Sequence, residues 1–154
     1  MGRPEPRQVY CQVGGDNING GYLATKHLLD TARRTIAFFG DIKLPEIALR
    51  FSGYQKALDE QGIKFNPGLQ IDVPFEMQHA RESVNEFLAG ASKFDAAVCS
   101  SDVMALSVIA TLNESGLTVP DDVAVVGYDG IGLASYGNPL PSELVVRQSS
   151  GQGK

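Results

Sequence analysis

Residues 100–129 of the chain read SSDVMALSVIATLNESGLTVPDDVAVVGYD, and the first half of this stretch predicts a helix. Ser101 and Asp102 are residue types that cap helix N-termini. Four apolar residues then follow at the spacing of a helix with one buried face: Ala105, Val108, Ile109 and Leu112. Gly116 is placed to end the helix, because glycine readily adopts the left-handed conformation found after helix C-termini.

The second half of the stretch predicts a buried strand that ends at a carboxylate. After a turn at residues 119–121, residues 123–126 form an apolar run, which is typical of a parallel strand covered on both faces. Asp129 follows this strand, where open α/β sheets place their ligands. This position makes Asp129 a candidate ligand-binding acceptor, whereas an aspartate in such a place is most often a turn former or a helix cap.

Strand and helix patterns alternate along the whole chain. The strands are predicted at residues 9–13, 35–39, 69–73, 95–99, 123–126 and 143–147. The other helices are predicted at residues 20–31, 45–61 and 76–88, the first with Asn17 or Asn19 as its cap. This alternation of buried strands and helices predicts an α/β fold with a three-layer architecture, in which helices cover both faces of a parallel sheet.

Composition narrows the class of protein. The 154 residues carry a formal net charge of −5, and their basic residues are scattered. Binding to nucleic acid needs clustered Lys and Arg, so this segment is not expected to contact DNA itself. No apolar run approaches the roughly 20 residues that span a bilayer, so no membrane segment is expected.

The sequence contains no recognisable catalytic constellation. His27 and His79 lack metal-ligand spacing, and no Gly-Lys-Ser/Thr follows Gly14 and Gly15, as a P-loop would require. Cys11 and Cys99 lie in predicted strands and are interpreted as buried free thiols, with a disulfide as the alternative. We therefore expect no metal, no cofactor and no enzymatic activity.

Four motifs in order resemble the effector-binding domain of lactose-repressor-type (LacI/GalR) bacterial transcription regulators. Residues 100–129 carry the first. Residues 16–28, DNINGGYLATKHL, resemble that family's helix after a domain crossover. Residues 50–54 match its Arg-x-x-Gly-aromatic pattern, and residues 147–148 match the end of its last hinge strand. The resemblance covers roughly residues 9–148.

The resemblance implies a periplasmic-binding-protein-like fold with two lobes joined by three crossover strands. Residues 9–148 would then be mostly the C-terminal lobe with its crossovers, flanked by disordered tails at residues 1–8 and 149–154. The other lobe and an N-terminal helix-turn-helix head would be missing from this chain.

It also implies a cytoplasmic homodimer. A small effector, a sugar or sugar derivative, would bind between the lobes and control operator DNA through the missing head. Two alternatives remain: a lobe of a periplasmic sugar-binding transport protein, and an unrelated α/β enzyme.

The resemblance also assigns ligand-binding residues. Arg50 would aim a fork of donors at the ligand, whereas residue type alone also allows a side chain that reaches the surface and pairs with a carboxylate. Phe75 would stack on the ring of the effector, or belong to the core. Ser101 and Asp102 would contact the effector or merely cap their helix; the family usually has Asn where this chain has Ser101.

Three further residues would line the cleft if the resemblance holds. Asp16 and Asn19 lie in the predicted crossover loop, where Asx residues are otherwise helix caps. Gln148 matches a hinge-strand residue that faces the cleft, and it would otherwise be an exposed residue near a frayed end.

Overall fold

The structure, a computed structural model, describes residues 17–73, 77–90 and 92–128. Four helices and four strands follow one another, with a short 3-10 turn at Pro67–Leu69. In chain order they are α1 (Asn17–Asp30), β1 (Ile36–Phe39), α2 (Pro45–Glu60), β2 (Gln70–Ile71), α3 (Met77–Ala89), β3 (Ala96–Cys99), α4 (Asp102–Glu114) and β4 (Ala124–Val126). The predicted strands at 9–13 and 143–147 lie outside the described residues.

The four strands form one parallel sheet in the order β2-β1-β3-β4. Ile36 of β1 pairs with Ala96 of β3, which pairs in turn with Ala124 of β4. Because each parallel connection must return to the same end of the sheet, a helix separates every pair of consecutive strands. The predicted parallel α/β sheet is confirmed.

Alternate strand residues pack against different helices. Even-numbered residues of β1, β3 and β4 lie in a core with α1 and α2, namely Ile36, Phe38, Ala96, Val98, Ala124 and Val126. The odd-numbered residues lie in a second core with α3 and α4, namely Ala37, Phe39, Ala97, Cys99 and Val125. Both faces of the sheet are therefore buried, which confirms the three-layer architecture and explains why the strands are apolar throughout.

Helix boundaries agree with the predicted stops but correct one predicted start. Gly62 and Gly116 follow α2 and α4 with φ of +71° and +86°, the left-handed conformation expected there. The first helix begins at Asn17, so Asn17 and Asn19 are helical residues and neither precedes the helix as its cap. β2 contains only Gln70–Ile71, shorter than the predicted strand at 69–73.

Helices α1 and α2 approach each other backbone to backbone. The Cα of Gly21 in α1 lies against the carbonyl group of Arg50, and a Cβ at that position would overlap the carbonyl oxygen. Gly53 in α2 lies in the same way against the carbonyl oxygen of Ile18. These two close approaches fix the height and rotation of the turn of α2 that carries Arg50.

Hydrogen bonds join the strands at the amino edge of the sheet. Arg33 donates from Nη1 to the carbonyl of Asp95 at 3.0 Å and from Nη2 to the carbonyl of Pro120 at 2.7 Å. The carboxylate of Asp95 accepts from the backbone amides of Arg34 and Thr35. The segments that precede β1, β3 and β4 are thus tied to one another.

Candidate ligand-binding site

The strand order puts the topological switch point of the sheet, where open α/β sheets form their ligand crevice, at the carboxyl ends of β1 and β3. The chain leaves β1 through α2 to reach β2 on one side, and it then crosses through α3 to β3 on the other side. At such a switch point the connections diverge, and open α/β sheets bind ligands there. Gly40 and Ser100 directly follow the two strands, and a Cβ at Gly40 would lie 2.8 Å from the Cβ of Ser100. The two strand ends are therefore in close contact.

Arg50 is buried at this switch point. Its side chain comes from the second turn of α2, and the residue is only 8% exposed. Nε donates to Oδ1 of Asn17 at 2.8 Å, and Nη1 donates to the carbonyl oxygen of Ser100 at 2.6 Å. The ring of Tyr128 lies over the guanidinium, with Cζ of Arg50 3.9 Å from the ring centroid. A buried cation needs such partners, because the protein interior solvates charge poorly.

This geometry contradicts the surface position that one of the two interpretations gives to Arg50. The side chain does not reach the surface along the edge of α2, since it is buried and lies between α1, β3 and Tyr128. The structure thereby holds a guanidinium at the carboxyl edge of the sheet, as a donor for a ligand requires. Contact between Arg50 and a ligand remains a prediction.

Two neighbours of Arg50 were missed by sequence reasoning. Asn17 was considered only as a helix cap, and Tyr128 was given no role. Tyr128 follows β4, and its ring fills the space where a Cβ of Gly20 would be. The available signal was the glycine pair Gly20-Gly21 inside a predicted helix, because such glycines commonly mark a close approach.

The N-terminus of α4 borders the crevice beside Arg50. Oγ of Ser101 accepts from the amide of Met104 at 3.1 Å, which confirms Ser101 as the N-cap. Asp102 lies in the first turn, where a negative charge is favourable with the helix dipole. Its carboxylate is so close to Gly127, just after β4, that a Cβ there would overlap Oδ1. Ligand contact by Ser101 or Asp102 stays a prediction.

The structure describes only half of the predicted set. Asn19 is exposed on the first turn of α1. Four predicted residues lie outside the described residues: Asp16, Phe75, Asp129 and Gln148.

The described part of the site holds binding groups and no reactive ones. Burial, with a smaller contribution from the charge of Asp102, raises the pKa of the Cys99 thiol well above its usual range, so the thiol stays protonated. Within residues 17–73, 77–90 and 92–128, no cluster of His, Cys, Asp or Glu could hold a metal ion. Over the same residues, no helix is long and apolar enough to cross a membrane.

The open parallel sheet with a donor at its switch point defines a small-molecule-binding α/β domain, and comparison with known proteins names it more closely. Residues 25–150 match the family described as the periplasmic binding protein-like domain. A transcriptional repressor from Histophilus somni, HTH-type PurR, is 36% identical over 128 residues, which are 82% of this chain and 38% of the repressor. The chain thus spans well under half the length of that relative.

Solved structures point to the same family. A LacI-family sugar-binding transcriptional regulator from Escherichia coli, complexed with phosphate, is 33% identical with a TM-score of 0.72; the match covers 79% of this chain and 44% of that one. The transcriptional regulator CelR in complex with cellobiose is 28% identical with a TM-score of 0.75, and the match covers 88% of this chain and 52% of that one.

The chain belongs to the periplasmic-binding-protein-like domains, and among them to the effector-binding domains of LacI/GalR regulators. The resemblance read from the four motifs is confirmed. The relatives named above are transcriptional regulators, a class of protein that is not enzymatic, and they favour a regulator over a transport-protein lobe.

Proposed function

We propose that this chain binds a small sugar-like effector at the carboxyl edge of its sheet and thereby controls operator binding by a helix-turn-helix head elsewhere in a longer protein. The observation that carries the proposal is the buried guanidinium of Arg50, held at the switch point by Asn17 and Ser100. A sugar presents several hydroxyl oxygens that can accept from arginine.

Residues outside the described part would complete the pocket. Asp129 would accept hydrogen bonds from the hydroxyls that Arg50 does not reach, and Phe75 would stack on the apolar face of the ring. Asp16 and Gln148 would contact the ligand from the crossovers. These roles come from the motif resemblance, and the proximity of residue 128 to Arg50 supports the assignment of Asp129.

Effector binding would act on DNA by a change of domain arrangement. A ligand held between this lobe and a second one favours the closed arrangement, because only that state makes contacts from both sides. Operator affinity would change by the difference in ligand affinity between the two states, typically about 1–3 kcal/mol. Such a regulator works in the cytoplasm, where its operator is.

Calorimetric titration of the complete gene product tests the effector class. The panel is cellobiose, inorganic phosphate and the nucleobases, because aromatic stacking suits bases as well as sugars. We expect the wild type to bind sugar. Arg50→Met should lower the affinity for sugar about 10- to 150-fold, which corresponds to the loss of one hydrogen bond to a charged group. Arg81→Met, which removes an exposed arginine paired with Glu114, is the control that should bind normally.

Two results would contradict this proposal. Binding of a nucleobase with no binding of sugar would refute the effector class. Equal affinity of the wild type and the Arg50→Met variant would refute the location of the site.

We also propose that the protein is a homodimer that uses α4. Val103 and Leu106 lie three residues apart on one face of α4 and are 42% and 57% exposed. Contiguous exposed apolar surface marks interaction sites, and this pair would contribute to such a surface on α4. Sedimentation of Leu106→Glu should give a monomer, whereas Leu49→Glu on α2, also at an exposed leucine, should leave the dimer intact. A monomeric wild type would refute the proposal.

A further inference from the structure

We propose that Tyr128 and Gly20 are positioning residues for Arg50: the ring of Tyr128 fixes the guanidinium in the crevice, and Gly20 is glycine to make room for that ring. The proposal rests on the proposed function, because it concerns the residue argued to bind the effector. It assigns Tyr128 and Gly20 a part in ligand affinity without requiring either to touch the ligand.

Three contacts from three elements restrain the guanidinium. Asn17 of α1 accepts from Nε, and the carbonyl of Ser100, after β3, accepts from Nη1. The N–H groups that donate these two bonds lie in the plane of the guanidinium, so neither bond covers a face of the group. The ring of Tyr128, 3.9 Å from Cζ, covers one face and so restrains the guanidinium in a direction that the two in-plane bonds do not. The ring also excludes water from this face, which strengthens the electrostatic interactions of the cation.

The glycine pair in α1 separates two structural roles. Glycine is among the least favourable residues inside a helix, so each position needs a reason. Gly21 has one in the packing of α1 on α2, because a Cβ there would overlap the carbonyl oxygen of Arg50. At Gly20, the three atoms nearest to the position of a Cβ are ring or hydroxyl atoms of Tyr128, and none of them is a backbone atom. The absence of a side chain at Gly20 therefore serves the ring.

The consequence is a change in binding that is separable from folding. The three nearest atoms that alanine at position 20 would meet belong to the end of the Tyr128 side chain, which can rotate away. The fold should therefore persist while the ring leaves Arg50. A guanidinium with one face uncovered is less well ordered before the ligand arrives, and ordering it on binding weakens affinity. The stacking interaction corresponds to a change in affinity of about 3- to 30-fold.

The direct test observes the Nε–H group of Arg50 by NMR in the 15N-labelled full chain. Its signal is assigned by its loss in Arg50→Lys. In the wild type the ring of Tyr128 should displace the proton resonance upfield. Gly20→Ala and Tyr128→Leu should both abolish that displacement, while Tyr128→Phe, which keeps a ring, should retain it. The control Lys26→Ala changes an exposed residue on α1 and should leave the signal unchanged.

A double-variant cycle shows whether the two residues act through one contact. If Gly20 serves the ring alone, Gly20→Ala should have no further effect on the signal of Arg50 once Tyr128→Leu has removed the ring. Urea unfolding of each variant confirms that the fold persists. An Arg50 signal unchanged in both Gly20→Ala and Tyr128→Leu would overturn the proposal. If Gly20→Ala does not fold, the comparison of Tyr128→Leu with Tyr128→Phe decides.

Titration with cellobiose separates this proposal from the proposed function. Affinity lowered about 3- to 30-fold in Tyr128→Leu and restored in Tyr128→Phe supports the positioning role. Normal affinity in Tyr128→Leu, with affinity lost in Arg50→Met, refutes positioning and leaves the proposed function standing. If the wild type binds nothing in the panel, the proposed function fails, and the NMR signal alone decides whether the ring and Gly20 position Arg50.

Discussion

Alanine at Gly21 should destabilise the protein, whereas alanine at the adjacent Gly20 should leave its stability nearly unchanged. Both positions lie in α1, so the gain in helix propensity, about 1 kcal/mol, is the same for both. What differs is the obstacle that the new methyl group meets. At Gly21 it meets the backbone carbonyl of Arg50, and at Gly20 it meets the ring of Tyr128.

The magnitude follows from whether the obstacle can move. The carbonyl of Arg50 is part of α2, so Gly21→Ala must push two packed helices apart, which costs about 3 kcal/mol, the upper end for overpacked cores. After the propensity gain, a net loss of about 2 kcal/mol remains. The ring of Tyr128 is half-buried and can rotate, so Gly20→Ala loses a stacking interaction of about 1 kcal/mol and regains as much from propensity.

Urea denaturation measures the difference. About 2 kcal/mol should lower the midpoint for Gly21→Ala by roughly 1 M relative to Gly20→Ala, with equal slopes. Gly53→Ala is an independent check from the other helix, because its methyl group would meet the carbonyl of Ile18; it should behave like Gly21→Ala. If the free energies of unfolding of Gly21→Ala and Gly20→Ala agree within about 0.5 kcal/mol, the close approach of the two helices does not constrain the fold as argued.

Three further predictions concern single side chains. Tyr54→Phe should lower the free energy of unfolding by about 1–2 kcal/mol, because the buried hydroxyl donates to a β1 carbonyl at 2.6 Å. The control Tyr22→Phe removes an exposed hydroxyl that donates to Glu60, and it should change the free energy of unfolding by less than about 0.5 kcal/mol. Equal effects of the two substitutions would contradict the prediction. Ser107→Ala should be neutral or stabilising by up to about 1 kcal/mol in the same assay, since the buried hydroxyl has no hydrogen-bond partner in the described structure; a clear loss would show that it has one. The amide and hydroxyl of Thr118 hold the pKa of Asp122 below its ordinary value, so its contribution to stability is present above about pH 4 and is lost as pH falls through the lowered pKa. The difference in unfolding free energy between wild type and Asp122→Asn should therefore shrink below that pH, and a difference independent of pH would refute the linkage.

The layers of the fold were predictable because burial on both faces leaves a direct trace in the sequence. β1, β3 and β4 are short apolar runs, IAFF, AAVC and AVV, and every residue in them is buried. The ends of α2 and α4 were predictable because Gly62 and Gly116 adopt the left-handed backbone conformation, which other residues avoid. β2 was overestimated because its pairing with β1 covers only two residues, and the apolar pattern does not record how far a strand pairs.

The candidate site was predictable in its central residue and not in its surroundings. Arg50 could be found because it lies in a recognisable motif and on an apolar helical stripe. Its partners could not, since Asn17 precedes it by 33 residues and Tyr128 lies far along the chain, just after β4. The period of a helix tells which face is buried, but it does not tell which distant residue lies opposite. Asn17 looked like a cap because the same amide oxygen can serve a helix end or an arginine.

The hydrogen bonds of Arg33 and Asp95 lie at the opposite edge of the sheet from the candidate binding site. They tie the segments before β1, β3 and β4 at the amino edge, while Arg50 and the end of β4 lie at the carboxyl edge. Substitutions at the carboxyl edge replace none of the residues that make the amino-edge bonds. A lineage of such proteins can therefore acquire new effectors by mutation at one edge while it inherits its stability from the other.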